Sequence, residues 1–550
     1  MSARRPAVES GPESGHRLVG VRVIVSAFWV IGFMLLGKIL GLGKDVVVAA
    51  RFGTSSSMDT FLVAFSVPTL LISWFRSPIR SGFIPLFTES MEKHGEKASW
   101  RAAGVFTGDL LALVTVIAVA AFIFAPRLVS LVAPGFATEN LALATTLVRT
   151  MIVTVVLSTV SGITSDILHI YGNFVLPGVR HPVMNLILIG SAVFLTGTFG
   201  VRGLAYGVVA GSVAGLLIES TFLWQHRSHV RLGFDLKHPM FLGVMRLALP
   251  LFIGMAGAKL DDIIDRVFAS MLAEGSISGL SYAMRLIDLP REILVVGFST
   301  VLFPFFARVV ARGRMEDFSD RLMSTLRIVF FVLFPISVVI ALLGEPFVRL
   351  VFQRGAFDEQ SVAFTTSALL LYTPTLWALG LTSAMISGFV AMKDTKTPVI
   401  AGFLRLGLKI GLIFALIGTF QLAGIALATS ISHVFKLVLF FLMLPASVRK
   451  GRYGRLFKGF GGVVASAAVM GALLYFSRPF MMRVTVDDSL AIRILALGIP
   501  ALGAIAVYLL ASYMLARGEF RETTAVLKDG LSTMVGKVTR RRPTDGGEEE

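Results

Sequence analysis

Long apolar runs, separated by short polar segments, follow one another along most of the chain. A helix needs about 20 apolar residues to cross the hydrocarbon core of a bilayer, so the runs predict about fourteen transmembrane helices. The pattern therefore predicts an all-α polytopic membrane protein. We place the spans at residues 24–50, 57–90, 100–131, 138–171, 176–197, 201–225, 238–273, 276–312, 318–351, 359–392, 396–419, 422–446, 456–477 and 490–516.

Composition agrees with a membrane protein. Hydrophobic residues make up 55% of the chain and charged residues only 15%, whereas an ordinary soluble domain is about 25% charged. The chain has no cysteine, which excludes disulfides, thiol catalysis and cysteine-ligated metals.

The net charge of +17 does not indicate a nucleic-acid partner, because the basic residues lie mostly in short loops between spans. Cytoplasmic loops of membrane proteins are enriched in Lys and Arg. Loops after even-numbered spans hold the larger basic groups, for example residues 227–237 and 449–458, whereas loops after odd-numbered spans hold few. This alternation predicts that both termini are cytoplasmic.

An internal repeat supports a two-lobed arrangement. Arg51–Pro68 resembles Ala273–Pro290, and Phe83–Phe87 matches Leu302–Phe306. The copies are six spans apart, so they keep the same orientation and predict parallel lobes with a central cavity between them. The predicted divisions are a disordered cytoplasmic tail (1–20), an N-lobe (21–225), a C-lobe (226–447), two added helices (448–516) and a second cytoplasmic tail (517–550).

Charged residues inside the predicted spans are the candidate functional residues, since each costs roughly 2.5–3.5 kcal/mol to insert at the bilayer centre. Lys38, Lys44 and Arg285 are predicted to line a wet basic chamber suited to a diphosphate, for which Arg supplies forked hydrogen bonds and Lys a point charge. Further charged candidates in these spans are Asp45, Asp59, Asp288, Arg76, Arg80, Asp261, Asp262, Asp265 and Lys409.

Structural interpretations of the same charges stay open. Lys44 with Asp45 could form an ion pair, residues near span ends could extend to the interface, and Asp59 could cap the second helix. Asp166 and His169 share a helix face near a span end, but such a pair alone is weak evidence for catalysis.

Motifs for nucleotide binding or metal-dependent hydrolysis are absent from the sequence. There is no G-x-x-x-x-G-K-[ST] loop and no H-E-x-x-H pair. We therefore predict a transporter rather than an enzyme, with no cofactor and no metal site, coupled to a monovalent ion or to the membrane potential.

Several segments resemble the MurJ/MviN family of lipid II flippases, within the multidrug/oligosaccharidyl-lipid/polysaccharide exporter superfamily. The resemblance lies in Gly37–Leu71, Phe83–Lys97, Ala133–Phe136, Ser281–Pro290, Leu350–Phe357 and Lys393–Val399, in family order. It implies fourteen helices in two lobes around a cationic cavity, with alternating access. It also implies that the essential charged positions fall on Lys38, Lys44, Asp45, Asp59, Arg285 and Asp288.

The chain departs from the family pattern at several of these positions. Lys38 and Lys44 stand where the family usually has Arg, and a basic family position in the second span is Ile72 here. An amide position of the cation site found in some members is Ile413. We therefore predict that Lys409 supplies a tethered ammonium to Asp261, Asp262 or Asp265 in place of sodium.

The sequence thus predicts a flippase for a polyprenyl-diphosphate-linked peptidoglycan precursor, lipid II, in the bacterial inner membrane. The expected partners are the lipid-linked glycan and membrane lipids, with cell-wall synthesis proteins as candidates, and the chain is expected to be a monomer. The alternatives are a flippase for another undecaprenyl-linked glycan, a multidrug or cation antiporter with an acidic pocket, and a non-transporting scaffold.

Overall fold

The computed structural model describes the backbone of residues 12–225, 232–481, 489–525 and 528, with side chains for all of these except residues 12–31, 223, 225, 253–259, 293–304, 480, 481 and 490. The helices are α1 (Pro12–Phe52), α2 (Ser56–Ile123), α3 (Ala125–Val132), α4 (Thr138–Met151), α5 (Val153–Ile170), α6 (Val175–Phe194), α7 (Thr196–Phe199), α8 (Arg202–Gln225), α9 (Pro239–Ala269), α10 (Ser276–Ala311), α11 (Met315–Phe352), α12 (Glu359–Ala391), α13 (Lys396–Met443), α14 (Ala446–Arg449), α15 (Tyr453–Met481) and α16 (Leu490–Leu515). Residues 517–525 are also helical.

The predicted all-α polytopic membrane fold is confirmed. Among the described residues, eight helices are long and apolar enough to cross a membrane. Every predicted span coincides with helix, although α2 and α13 each carry two predicted spans. The first helix begins at Pro12, inside the stretch predicted as a tail, and residues 1–11 lie outside the described part of the chain.

Breaks within these long helices occur where the sequence analysis separates spans. The backbone of α2 leaves helical geometry at Gly95 (φ 75°), and that of α13 leaves it at Gln421 (φ 47°). Gly200 (φ 55°) separates α7 from α8. The fourth predicted span is two helices, α4 and α5, which meet at Ile152.

The chain divides into two compact units. The first contains residues 1–278 together with 354–361, and the second contains residues 279–353 and 362–550. In the first unit α1 packs on α6, α6 on α8, and α2 on α4, α5 and α9. In the second unit α11 packs on α15, and α15 packs on α16.

The core of the first unit is rich in aromatic residues contributed by α2. Phe83, Phe87 and Phe106 have no exposed surface. The ring of Phe83 lies 5.4 Å from that of Phe87 and 5.1 Å from that of Phe106, in stacked geometry. Stacked aromatic pairs contribute about 0.5–1.5 kcal/mol beyond their buried area, so this cluster fixes the two halves of α2 against each other.

The two copies of the internal repeat share a glycine turn before a helix. Gly53 (φ 54°) precedes α2 and Gly275 (φ 90°) precedes α10. A Cβ atom on Gly53 would lie 2.2 Å from the carbonyl oxygen of Ala356, and one on Gly275 would lie 2.2 Å from that of Thr54. Both turns therefore need glycine for its backbone conformation and for close packing.

Gly275→Ala is expected to lower the thermal stability of the protein, because alanine at positive φ costs about 1–2 kcal/mol and its methyl group would also collide with Thr54. Gly313→Ala is the matched control, since Gly313 has φ 70° but open space around its Cβ position. Thermal unfolding in detergent should show a clearly larger fall in midpoint for Gly275→Ala. Equal shifts would mean that the close approach to Thr54 is unimportant.

Candidate functional site

Arg76 on α2 forms a bidentate ion pair with Asp166 on α5. Its Nη1 and Nη2 donate to the two carboxylate oxygens at 2.6 and 2.8 Å. The Asp166 side chain is 1% exposed and that of Arg76 is 29% exposed. The Arg76 side chain passes close over Gly162, one turn before Asp166. A Cβ atom at position 162 would lie only 3.1 Å from Arg76 Cδ and would crowd it.

Arg80, one turn after Arg76, extends this interaction. Its Nε lies 3.5 Å from Asp166 Oδ1, and its Nη2 lies 3.2 Å from Nδ1 of His169. Two arginines of α2 thus share one buried carboxylate on α5. The Asp166–His169 helix face noted in the sequence is therefore part of an ion-pair network.

A second buried carboxylate lies on α8. Glu219 has no exposed surface and accepts hydrogen bonds from the hydroxyls of Ser161 and Ser165 on α5, the latter at 2.6 Å. Arg180 on α6 has its Nη1 atom 4.0 Å from Glu219 Oε1. Gly215, one turn before Glu219, lets the Arg180 side chain pass, because a Cβ there would lie 2.9 Å from Arg180 Cγ.

Lys38 on α1 lies beside the same region. Asn185 on α6 donates a hydrogen bond of 3.0 Å to the carbonyl of Gly37, which fixes α1 against α6. Lys38 and Arg180 both interact electrostatically with His181, and Arg180 also interacts with Arg76. These are repulsions between like charges, and together with the ion pairs to Asp166 and Glu219 they show that charged groups of α1, α2, α5, α6 and α8 lie in one region.

We call this set the first-unit charge cluster; it comprises Lys38, Arg76, Arg80, Arg180, Asp166 and Glu219. Its four cations outnumber its two carboxylates. Both carboxylates are buried, whereas the cations are half-buried or exposed. The accessible face of the cluster is therefore basic, and its guanidinium and ammonium donors suit phosphate oxygens.

The remaining predicted residues of α1 and α2 form local contacts. Lys44 Nζ lies 2.8 Å from Asp45 Oδ1, so the ion-pair interpretation of these two residues describes the structure. Asp59 is buried and accepts hydrogen bonds from the backbone N–H groups of Gly275 (2.8 Å) and Ser278 (2.7 Å). Asp59 thus caps α10, not the second helix that the sequence suggested it could cap.

The predicted residues of α10 lie in the second unit. Arg285 is exposed. The Asp288 carboxylate accepts hydrogen bonds from Nε (2.9 Å) and Nη2 (2.6 Å) of Arg291. The structure therefore gives Asp288 a partner three residues later along its own helix.

The acidic residues of α9 and the buried lysine of α13 are placed in different units. Asp261, Asp262 and Asp265 belong to the first unit, where Arg266 donates to the backbone carbonyl of Asp262 at 3.3 Å. Lys409 belongs to the second unit and has no exposed surface. The proposed ammonium-for-sodium replacement stays a prediction. Within the described ranges, no group of three His, Asp or Glu residues is arranged to hold a metal.

Arg180 and Glu219 belong to the charge cluster but are not among the residues that the sequence pattern indicated. Glu219 is a single acid in the apolar stretch LLIESTFLW, and the cost of inserting such a charge is a signal that could have identified it. Arg180 lies at the start of a predicted span, where a basic residue is usually interfacial. Only its proximity to Glu219 in the folded protein identifies it as a member of the charge cluster.

Comparison with known proteins identifies the family. The profile described as "Lipid II flippase MurJ" matches residues 48–496. The chain belongs to the MurJ family. A relative from Buchnera aphidicola subsp. Acyrthosiphon pisum, named probable lipid II flippase MurJ, is 31% identical over 403 residues, which cover 72% of this chain and 79% of the relative.

Solved structures show the same fold. The structure described as lipid II flippase MurJ in an inward closed conformation has a TM-score of 0.73 at 24% identity, covering 89% of this chain and 98% of its own. An inward-facing multidrug resistance MATE family transporter has a TM-score of 0.63 at 16% identity, covering 76% and 94%. The fold of this chain is thus also found in a MATE family transporter.

Proposed function

We propose that this protein translocates lipid II, a polyprenyl-diphosphate-linked peptidoglycan precursor, from the cytoplasmic to the outer leaflet of a bacterial inner membrane. The observation that carries the proposal is the match to the MurJ family over residues 48–496. The step moves a molecule across the membrane and requires no covalent chemistry from the chain.

The first-unit charge cluster supports an anionic headgroup as the cargo. A diphosphate presents several acceptor oxygens, and charge-assisted hydrogen bonds to them are about twice as strong as neutral ones. Lys38, Arg76 and Arg180 supply donors from three helices. Asp166 and Glu219 hold the arginine side chains in fixed conformations before the headgroup arrives. Binding therefore costs little additional side-chain conformational entropy.

An excess of fixed positive charge also disfavours the cation-antiporter alternative. An antiporter for organic cations needs accessible carboxylates, because like charges within a low-dielectric site repel. Within the first-unit charge cluster, Asp166 and Glu219 are both buried against arginine or serine, so the accessible charge of that cluster is positive. The membrane potential would favour outward movement of the anion by about 2.3 kcal/mol per charge per 100 mV fully crossed.

The cellular test uses a bacterium whose own lipid II flippase can be shut off. Expression of this chain is expected to restore growth and to restore cleavage of lipid II by an enzyme added outside the cytoplasmic membrane. A strain that instead depends on export of another undecaprenyl-linked glycan tests the nearest rival. Rescue of the second strain alone would indicate that the other glycan is the substrate. Rescue of neither strain would contradict the proposal.

A further inference from the structure

An arginine-rich cavity lies within the second unit, far along the chain from the first-unit charge cluster. Its volume is about 780 Å³, and it is formed by the end of α10, the first turns of α11 and α15, and the helical residues 517–525. Seven arginines and three carboxylates line it, which leaves an excess of four positive charges. We call it the arginine cavity.

Each lining carboxylate already pairs with one arginine. The three ion pairs are Arg314–Asp317 at 2.5 Å, Arg452–Asp320 at 2.7 Å and Arg327–Glu522 at 2.8 Å. Three other lining arginines, Arg312, Arg321 and Arg455, form no ion pair with the described residues. Arg321 lies over the ring of Phe305, 5.5 Å from its centroid. Arg312, Arg321 and Arg455 are exposed, so water and salt weaken their mutual repulsion, and their guanidinium donors are open to an incoming anion.

The polypeptide that follows α16 already supplies acidic groups to this cavity. Glu522 accepts hydrogen bonds from Arg327 Nη2 (2.8 Å) and from the Ser324 hydroxyl (3.1 Å), and Glu519 lies 3.8 Å from Arg327 Nη1. Residues 517–525 thus bind the cavity wall through carboxylates.

Residues 545–550, DGGEEE, carry four carboxylates, which matches the excess charge of the cavity. They lie outside the described part of the chain. Twenty-two residues (523–544) separate Glu522 from this segment, and an extended chain of that length reaches up to about 73 Å. A tethered segment has an effective concentration in the millimolar range.

We propose that the arginine cavity binds residues 545–550 of the same chain as an acidic peptide. Arginine forks bind carboxylates with paired hydrogen bonds, and three successive glutamates after two glycines can approach several arginines together. Arg540, Arg541 and Arg542 precede Pro543 and stay outside the cavity, because its positive charge repels them. Bound in this way, the segment neutralises the cavity and excludes other anions from it.

The absence of native cysteine allows a clean cross-linking test in membranes containing the full-length chain. Val309 lines the cavity, so the double variant Val309→Cys/Gly547→Cys is expected to form an intramolecular disulfide on mild oxidation. The control pair is Lys393→Cys/Gly547→Cys. Lys393 is an exposed residue of the same unit that does not line the cavity, and that pair should form much less disulfide.

Charge dependence separates binding from random collision. Neutralising the segment with Asp545→Asn, Glu548→Gln, Glu549→Gln and Glu550→Gln is expected to reduce disulfide formation at least fivefold, and Arg312→Gln/Arg455→Gln should do the same. Equal cross-linking in the neutralised variants, or none with the native charges, would overturn the proposal.

A second measurement does not rely on disulfide geometry. Labelling of Val309→Cys alone by a water-soluble maleimide should become faster when the four acids are neutralised. An unchanged labelling rate would overturn the proposal. If inorganic pyrophosphate or anionic vesicles protect this cysteine equally with and without the acidic residues, the cavity binds phosphates instead of the segment, and the proposal fails. None of these readouts depends on lipid transport.

Discussion

Arg76→Met is expected to destabilise the protein by about 3–5 kcal/mol, because it leaves Asp166 as a buried carboxylate without its bidentate partner. Asp166→Leu is expected to cost less, about 1.5–3 kcal/mol for the lost charged hydrogen bonds, since Arg76 is 29% exposed and water can solvate it. Arg80, at 3.5 Å from Asp166, compensates only in part. The double variant Arg76→Met/Asp166→Leu should recover much of the loss, since no buried charge remains.

The matched control for this pair is Arg314→Met. Arg314 and Asp317 also form a short Arg–Asp ion pair, but their side chains are 63% and 47% exposed. Exposed pairs contribute about 0.2–1 kcal/mol. Thermal unfolding in one detergent and at one scan rate compares all four variants. If Asp166→Leu proved more damaging than Arg76→Met, the burial of Asp166 would not be the source of the effect.

Asp59→Ala is expected to cost about 3 kcal/mol, because it leaves the N–H groups of Gly275 and Ser278 buried without acceptors, and each such group costs about 1–3 kcal/mol. This carboxylate is the N-terminal cap of α10, supplied by a residue more than two hundred positions earlier. Loss of the cap should therefore lower the unfolding midpoint even in the absence of any lipid substrate.

Asp358→Ala serves as the control for Asp59. Asp358 caps α12 with the same carboxylate chemistry, accepting from the Ser361 N–H (2.9 Å) and hydroxyl (2.8 Å), but it is exposed. Hydrogen bonds from Ser361 lower the pKa of Asp358, so this cap is ionised at neutral pH. Its removal should cost about 1 kcal/mol. Equal effects at both positions would contradict a special role for burial at Asp59.

The helices could be predicted from the sequence because apolar length is a local property. The break at Gly200 and the change of direction at Gln421 occur where polar or glycine residues interrupt apolar runs. The joint between α4 and α5 at Ile152 was missed, since no glycine or proline adjoins Ile152 in the sequence and the break depends on packing.

The charged site could be predicted only in part. The free-energy cost of placing a charge inside the membrane singles out Arg76 and Asp59 in the sequence. It does not tell which residue each side chain contacts in the folded protein. Asp59 contacts backbone N–H groups, which leave no signal in a sequence pattern. Arg76 pairs with Asp166, 90 positions away, and only the packing of α2 on α5 brings these residues together.

The most direct test of the central claim is transport by the purified protein in vesicles that contain fluorescent lipid II. Headgroup accessibility to an external quencher should rise faster with wild-type protein than in empty vesicles. Lys38→Gln should slow it at least tenfold, because one lost charged hydrogen bond costs about 1.5–3 kcal/mol, whereas Lys38→Arg should retain activity. Lys450→Gln, at an exposed loop lysine, should match the wild type. A wild-type rate no higher than that of empty vesicles would contradict the account.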